Sequence, residues 1–170
     1  SESPGFFYAA SKTARDVADN RCAELVGSLP PHPLEDWMLP PDRWKGKTPS
    51  SARKTVAQVM EVYVDDFCAI SQSANVKELR HISRALLHSI HKVSPPSEIS
   101  GLGGEDSISL KKLKAGEGAW DTRKELLGWT FDGRTRCVKL PKEKIIKIGE
   151  QINQTILAQS VRRRDYEKLL

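Results

Sequence analysis

Apolar residues recur at steps of three and four in three stretches of the chain, which is the spacing of one face of an α-helix. The first stretch covers residues 9 to 26, the second lies between Asn75 and Pro95, and the third begins near Ile145. Asn75 with Glu78 three residues later resembles a capping box, which marks the start of a helix. The sequence therefore predicts three helices. Their apolar faces hold Ala10, Ala14, Val17, Ala18, Cys22, Leu25 and Val26; Val76, Leu79, Ile82, Leu86 and Ile90; and Ile145, Ile148, Ile152 and Ile156.

Other stretches alternate between apolar and polar positions, which is typical of strands. Residues 56 to 70 predict two strands joined at Asp65 and Asp66, and KELLGWTFDGRTRCVKLP predicts two strands around the Asp132-Gly133 turn. Between these stretches ISLKKLK also alternates, and we expect a further strand there. In the first strand the alternation separates Val56, Met60, Val62 and Val64 on one face from Val59, Glu61, Tyr63 and Asp65 on the other.

Proline-rich and glycine-rich stretches separate these elements. Residues 29 to 51 contain six prolines, which deny helical hydrogen bonds, while Trp37, Met38 and Trp44 offer apolar anchors. We expect a long loop that is held against the body by its tryptophans, and a second loop at residues 101 to 104. Together the elements predict an α+β fold in which an antiparallel sheet is backed by helices.

Length, composition and charge indicate one globular domain, or a piece of a larger one, with a moderate excess of basic residues. The chain has 170 residues, of which 38% are hydrophobic and 29% charged, a globular rather than a disordered composition. Its net charge of +5 suits a polyanionic partner without requiring one. Because no apolar run is long enough for a membrane span and no leader opens the chain, we expect an intracellular protein, cytoplasmic or nuclear, that is not secreted. Three separated cysteines favour a reducing compartment and no zinc site.

The tetrapeptide Tyr63-Val64-Asp65-Asp66 places two adjacent carboxylates at the end of an apolar strand. Hard divalent cations such as Mg²⁺ take oxygen ligands, and two acids held beside a sheet by a tight turn would supply them. In two-metal phosphoryl transfer, such cations stabilise the attacking and the leaving oxygen. The plain alternative is an ordinary Asp-Asp turn, since Asp is common in turns.

Three neighbouring motifs favour the catalytic interpretation. VYVDDF inside two apolar strands resembles the Y-x-D-D box of reverse transcriptases, and SPGFF at residues 3 to 7 resembles the S-P-x-x-F end of the motif that precedes this box in the family. LKKL at residues 110 to 113 lies where the family has its basic fourth motif. LGW at residues 127 to 129 resembles the hairpin called the primer grip. The motifs follow the family's order over residues 1 to about 141, and TARDV and LPPHPLE look closest to polymerases of eukaryotic retrotransposons.

The resemblance implies roles for individual residues. Asp65 and Asp66 would be the catalytic ligands of Mg²⁺ or Mn²⁺, and Tyr63 would pack near the primer terminus. Lys111 or Lys112 would face the phosphates of the incoming nucleotide, and the pattern does not decide between them. A solvated strand edge is the alternative for both lysines. The other implied substrate-binding residues are Ser3, Pro4, Phe6, Phe7, Gly128 and Trp129.

One departure from the family concerns its first motif, which supplies another catalytic aspartate on a strand upstream of the Ser-Pro motif. Nothing precedes Ser1, so we expect a fragment of a longer protein that is inactive by itself; Asp16 and Asp19 follow the Ser-Pro motif in a predicted helix and do not replace that aspartate. The resemblance implies an RNA template, a DNA primer, a deoxynucleotide and the rest of a parent polyprotein as partners. It also implies that residues 1–141 form the later palm and that residues 142–170 lead into the thumb.

Alternatives accompany these interpretations. A non-catalytic nucleic-acid-binding remnant of a retroelement would keep the scaffold and the basic surface without the chemistry. A helix-rich structural protein would require residues 56 to 70 to form one continuous helix. For Trp129 the alternative is core packing. His88 and His91 have an i, i+3 spacing that could hold a transition metal, but no third ligand lies nearby in the sequence, so we expect solvated or partly packed histidines.

Overall fold

The computed structural model describes residues 4–39, 58–63, 66–73, 75–96, 106–158 and 163. Within them the chain is a mixed α+β protein with four α-helices, one 3-10 helix and two small antiparallel sheets, so the predicted fold class is confirmed at this level. The helices are α1 (Pro4–Cys22), α2 (Val76–Val93), α3 (Leu110–Lys114) and α4 (Lys142–Leu157), and the 3-10 helix covers Glu35–Met38. The strands are β1 (Gln58–Tyr63), β2 (Asp66–Ser71), β3 (Arg123–Leu126), β4 (Trp129–Asp132) and β5 (Cys137–Lys139).

The chain divides into two compact units, Ser1–Asp121 and Thr122–Leu170. The first unit contains α1, the 3-10 helix, the β1–β2 sheet, α2 and α3, and the second contains β3, β4, β5 and α4. The boundary at residue 141 that we expect between palm and thumb stays a prediction.

The β1–β2 hairpin packs on the first unit through one face of β1. Met60 is 4% exposed, whereas its neighbour Val59 is 55% exposed and Tyr63 is 64% exposed. The predicted alternation is therefore confirmed for the described residues of β1. Because one face is buried, a slip of one residue in the pairing would expose Met60, and the register is fixed. The core cluster of this unit consists of Ala18, Met38, Met60, Ile82, Leu86, Leu87, Ile108 and Leu113.

Helix α2 is the most deeply buried element of the first unit. Eight of its residues are buried, and it packs against α1. Asn75 begins the helix as predicted, because its side-chain oxygen accepts a hydrogen bond from the backbone N–H of Lys77 at 2.9 Å. On α1, the small side chain of Ala18 is fully buried in the cluster that also contains Ile82 and Leu86, which brings the two helices close together.

The ISLKKLK segment forms a helix, and the predicted strand is wrong. The hydroxyl of Ser109 caps α3 by accepting a hydrogen bond from the backbone N–H of Lys112 at 3.4 Å. Ile108 and Leu113 are both buried although they are five positions apart, and Leu110, which alternation would place beside Ile108, is 39% exposed. Seven residues are too few to distinguish the helical period from the strand period, so the cap and the two buried anchors decide the conformation.

The segment after α1 is anchored by residues other than its tryptophan. Met38 is buried as expected, but Trp37 is 45% exposed, so the predicted role of this tryptophan as an anchor is wrong. Trp44 and the rest of the predicted loop from residue 40 lie outside the described residues, as does the glycine-rich run at 101–104. The buried residues between positions 29 and 39 are Leu29, His32, Glu35 and Met38.

The second unit contains a three-stranded meander, one strand more than predicted. Strands β4 and β5 flank the Asp132-Gly133 turn as expected. Strand β3 pairs with β4 through a two-residue turn in which Leu127 and Gly128 have φ values of 49° and 78°. Two positive φ values are typical of a type I′ turn, but leucine rarely adopts one, so the residue types gave no local signal for a turn here.

The predicted third helix is confirmed as α4, but its apolar side chains are exposed. Ile148 is 37% exposed and Ile156 is 74% exposed, and no residue of α4 is buried. Among the described residues, none of the helices has the length and the apolar character that crossing a membrane would require.

Candidate active site

The end of the β1–β2 ladder carries the described part of the predicted catalytic motif. Tyr63 is the last residue of β1, Asp66 is the first residue of β2, and the two are opposite each other in the antiparallel pairing. Both side chains are exposed. Asp65, the other predicted catalytic residue and metal ligand, lies outside the described residues together with Val64. Asp66 thus lies at a ladder end, where its carboxylate is accessible.

The buried face of the hairpin holds this ladder end in place. Met60 is part of the core cluster, and Phe67 and Ala69 pack against that cluster from β2. Both strands therefore have apolar contacts with the core of the unit, whereas Tyr63 and Asp66 at the end of the ladder are exposed. This is the arrangement that an alternating sequence produces when only one face of a sheet is covered.

A group of charged residues lies between α1 and β1, and the sequence pattern did not reveal it. The Arg15 guanidinium forms ion pairs with the carboxylate of Asp16 at 2.9 Å and with that of Glu61 at 3.5 Å. Burial raises the pKa of the Asp19 carboxyl above its ordinary value, and the nearby Arg15 charge opposes this effect. A partly buried arginine among acids is a structural ion pair between a helix and a strand.

The two cysteines of the first unit are poor nucleophiles. Burial raises the pKa of the Cys22 thiol to about 11, and it also raises the pKa of Cys68. Both are free thiols, as is the exposed Cys137 in the second unit. Because the thiolate is the reactive form, Cys22 and Cys68 are unreactive near neutral pH.

The lysines of the predicted fourth motif are on a helix. Lys111 and Lys112 are exposed on α3, so the strand-edge alternative is wrong along with the strand itself. Leu113 of α3 belongs to the same core cluster as Met60 of β1. The helix with the lysines and the hairpin with Asp66 are therefore built on one core.

The remaining predicted site residues of the first unit lie at its beginning. Pro4 is the first residue of α1, and Phe6 and Phe7 belong to its first turns. Ser3 lies outside the described residues. The helix that the family resemblance implies after the Ser-Pro motif is therefore present from Pro4 onward.

Gly128 and Trp129 belong to the second unit, at the turn between β3 and β4. The Gly128 carbonyl accepts a hydrogen bond from the Lys144 ammonium at 3.2 Å. A Cβ atom at position 128 would meet the flexible end of the Lys144 side chain, which can move aside, so the positive φ is the feature that favours glycine. Trp129 is 46% exposed, and the core-packing alternative for its side chain is therefore wrong.

The described residues contain only part of the ligand set that the predicted metal site needs. Among them, no group of three or more His, Cys, Asp or Glu side chains is placed to hold a metal ion. Asp66 has the carboxylate chemistry that Mg²⁺ and Mn²⁺ prefer, and its exposed position would leave room for water and phosphate oxygens. The fit of a cation therefore depends on Asp66 acting together with its neighbour Asp65.

A buried polar network is the main feature of this unit that sequence reasoning missed. The Glu35 side chain is 5% exposed, and both of its oxygens accept hydrogen bonds from the Arg84 guanidinium, one of them at 2.8 Å. The carboxylate also accepts from Arg80 and from the backbone N–H of His32, the latter at 2.9 Å. The Arg84 hydrogen bonds are the main reason that the pKa of Glu35 falls to about 2. The available signal was the glutamate three residues after His32, which is the capping-box spacing.

Comparisons with known proteins give no match: no family model matches the chain, and neither a curated protein nor a solved structure matches it. The fold and the candidate site together define an α+β protein with an exposed acid at the end of a hairpin.

Proposed function

We propose that the chain is part of a reverse transcriptase, the RNA-directed DNA polymerase of a eukaryotic retrotransposon, and that it forms the later palm and the start of the thumb. The observation that carries the proposal is the antiparallel β1–β2 hairpin, in which Tyr63 and Asp66 face each other at the end of the ladder. A Y-x-D-D sequence at such an end presents carboxylates beside a sheet, which is a favourable place for divalent cations. The order of the four motifs along the chain supports the same assignment.

The proposed reaction is attack of a primer 3′ hydroxyl on the α-phosphate of a deoxynucleotide, directed by an RNA template. Asp65 and Asp66 would hold Mg²⁺ or Mn²⁺, which supplies stabilisation of the developing negative charge when bound. Tyr63 would position the primer end, and Lys111 or Lys112 would attract the nucleotide phosphates. Positioning and electrostatics account for most of the catalysis in such reactions, so these residues act mainly by placing the reactants.

Two further observations support these roles. The lysines of α3 are exposed, and they sit on a helix whose Leu113 packs in the same core as the hairpin. In the second unit, Trp129 is half exposed beside the Leu127-Gly128 turn, where its ring is available for contact with a nucleic acid. Ser3, Pro4, Phe6 and Phe7 would support template and nucleotide at the start of α1.

Binding of Mn²⁺ to the 170-residue chain tests the metal site directly. We expect paramagnetic broadening of the amide NMR signals of Tyr63 and Asp66 at Mn²⁺ concentrations that leave the β4–β5 turn sharp. The double variant Asp65→Asn/Asp66→Asn should lose the response. Asp132→Asn is the matched control, because it removes an acid from the turn of another hairpin and should leave the response at Asp66 unchanged.

Primer extension separates the polymerase from the non-catalytic alternative. In a longer protein that includes the first-motif aspartate, Asp65→Asn should abolish extension of a primed RNA template while the fold is retained. Unchanged extension by that variant would refute the proposed role of Asp65. A chain that binds nucleic acid but shows no Mn²⁺ response at Tyr63 and Asp66 would be the binding remnant instead.

A further inference from the structure

Three histidines from two distant parts of the sequence meet on the surface of α2. The ring of His32 lies 4.8 Å from that of His88 and 4.9 Å from that of His91, measured between ring centroids. His32 is only 6% exposed. His88 uses its Nε2 on the Pro30 carbonyl at 3.0 Å, so the rings do not converge on a common point, and the described residues contain no metal-holding group.

The hydrogen bonds of His32 determine where its proton lies. The backbone N–H of Leu34 can only donate, and it bonds to His32 Nδ1 at 3.1 Å, so this nitrogen is unprotonated. The proton of the neutral ring is therefore on Nε2, which donates to His91 Nδ1 at 3.1 Å. His91 in turn carries its own proton on Nε2. The hydrogen bonds of His32 with Leu34 and with His91 can both form only when the two rings are neutral.

Protonation of either ring breaks this arrangement. A charged His32 would carry a proton on Nδ1, directed at the N–H of Leu34. A charged His91 would carry a proton on Nδ1, directed at the ring Nε2–H of His32. In both cases two donors would face each other without an acceptor, next to the third ring of His88, and at a site with little access to water.

Two acids favour an imidazolium here, Glu35 at His32 and Asp106 at His91. Glu35, which lies closest in sequence, is already neutralised by its paired hydrogen bonds with Arg84 and by Arg80, and Arg80 also holds the exposed Asp36 at 2.9 Å. Asp106 is the other acid that acts on His91. Burial is nevertheless the dominant effect: it lowers the pKa of His32 to about 4 and also lowers the pKa of His91.

We propose that the hydrogen bond between His32 and His91 is a pH-sensitive latch, which holds residues 31–34 against α2 at neutral pH and releases them on mild acidification. The 3-10 helix that follows stays attached, because the carboxylate of Glu35 keeps its bonds to Arg84 in the same pH range. Residues 29 and 30 also stay attached, because the Leu29 carbonyl accepts a hydrogen bond from Arg84 at 3.0 Å and the Pro30 carbonyl accepts one from His88 at 3.0 Å. The fold thus contains a local opening that is controlled by protons and is separate from the candidate catalytic hairpin.

The direction of the effect follows from proton linkage. A released histidine titrates near its ordinary pKa of 6.5, whereas His32 in the latched state has a lowered pKa of about 4. The stabilisation of the closed state is therefore complete well above pH 6.5, and it is lost progressively as the pH falls through 6.5 toward 4. At pH 5 the ratio of closed to released molecules is lower than at neutral pH by roughly 30-fold.

NMR titration of the histidine rings and backbone amides of the whole chain tests the latch. We expect the His32 ring to show an Nε2–H tautomer at pH 7.5, and the amides of residues 31 and 34 to shift together with the protonation of His32 below pH 6. Amides in the middle of α2, such as Ala85, should keep their positions. His32→Asn retains an acceptor for the N–H of Leu34 but cannot be protonated, so it should abolish the pH response of the segment.

Two controls keep the result decisive. His88→Gln removes the third ring of the cluster without removing the His32–His91 bond, and the pH response of residues 31–34 should persist. His91→Gln should weaken this response, and it provides the test if His32→Asn fails to fold. An ordinary pKa near 6.5 for His32 would overturn the proposal. So would an unchanged segment during its protonation, or loss of the α2 amides at the same pH, because the opening would then not be local.

Discussion

Helices α2 and α4 have similar apolar periodicity but opposite environments. In α2 the side chains of Leu79 and Leu87 are 1% and 2% exposed, whereas in α4 Ile145 and Ile152 are 53% and 44% exposed. Both helices form as their sequences predict. The comparison shows that helical spacing specifies a helix and one apolar face, and that it does not specify whether a partner covers this face.

The two helices also differ in their polar contacts. Arg84 of α2 binds Glu35, which is 49 residues away in sequence, and His91 binds His32, which is 59 residues away. In α4, the described contact with another element is the hydrogen bond from Lys144 to the Gly128 carbonyl. Helix α2 is therefore specified by polar as well as apolar contacts, and substitutions should affect the two helices very differently.

The largest expected effect is the loss of the buried carboxylate that α2 holds. Glu35→Ala removes the partner of two arginines in a site where the Glu35 side chain is 5% exposed, and we expect it to lower the free energy of unfolding by about 3 kcal/mol. Urea denaturation at pH 7.5 measures this change. Glu150→Ala, at an exposed position of α4, is the control and should cost less than about 0.5 kcal/mol. Equal effects of the two substitutions would contradict the comparison.

A similarly large effect is expected from truncation of the apolar face of α2. Leu87→Ala leaves a cavity in the core cluster, and we expect a loss of about 3 kcal/mol in the free energy of unfolding. Leu110→Ala in α3 changes the same residue type at a position that is 39% exposed, and it should cost less than half as much. A cost below about 1 kcal/mol for Leu87→Ala would mean that α2 is not the centre of this core.

An intermediate effect is expected at the β3–β4 turn, which α4 contacts. Gly128→Ala requires a positive φ in an L-residue and displaces the Lys144 ammonium, so the turn should lose about 1 kcal/mol. Hydrogen exchange of the Leu126 and Trp129 amides measures the local stability. Lys144→Ala removes only the hydrogen bond and should cost a few tenths of a kcal/mol. If both substitutions had the same effect, the backbone conformation of Gly128 would not matter.

The smallest effect is expected from truncation of the apolar face of α4. Ile152→Ala removes a side chain that is 44% exposed and introduces a better helix former, so the free energy of unfolding should change by less than about 0.5 kcal/mol. Thermal unfolding of this variant beside Leu87→Ala provides the measurement. A loss near 2 kcal/mol would show that the isoleucine face of α4 is covered in solution, and it would remove the contrast between the two helices.

The candidate site was accessible to sequence reasoning only in part. Alternation and β-branched residues are local signals, and they predict Tyr63 and Asp66 at the junction of two strands, where the hairpin has them. The helical conformation around Lys111 and Lys112 could not be predicted in this way, because a short alternating segment fits either period and the hydroxyl of Ser109 favours a helix. Whether these residues act together on a nucleotide stays a prediction that the Mn²⁺ and primer-extension experiments test.

Features that depend on near neighbours can be predicted from the amino-acid sequence: three of the four helices, the Asn75 cap, the alternating faces of β1, the hairpins β1–β2 and β4–β5, and the α+β class. Which apolar face is covered, and which polar groups meet across 49 positions as Glu35 and Arg84 do, depends on how the elements pack together. The physical reason is that periodicity and capping act over one or two turns of chain. Burial, and the pKa shifts of Glu35 and His32 that follow from it, depend on surfaces that only folding brings together.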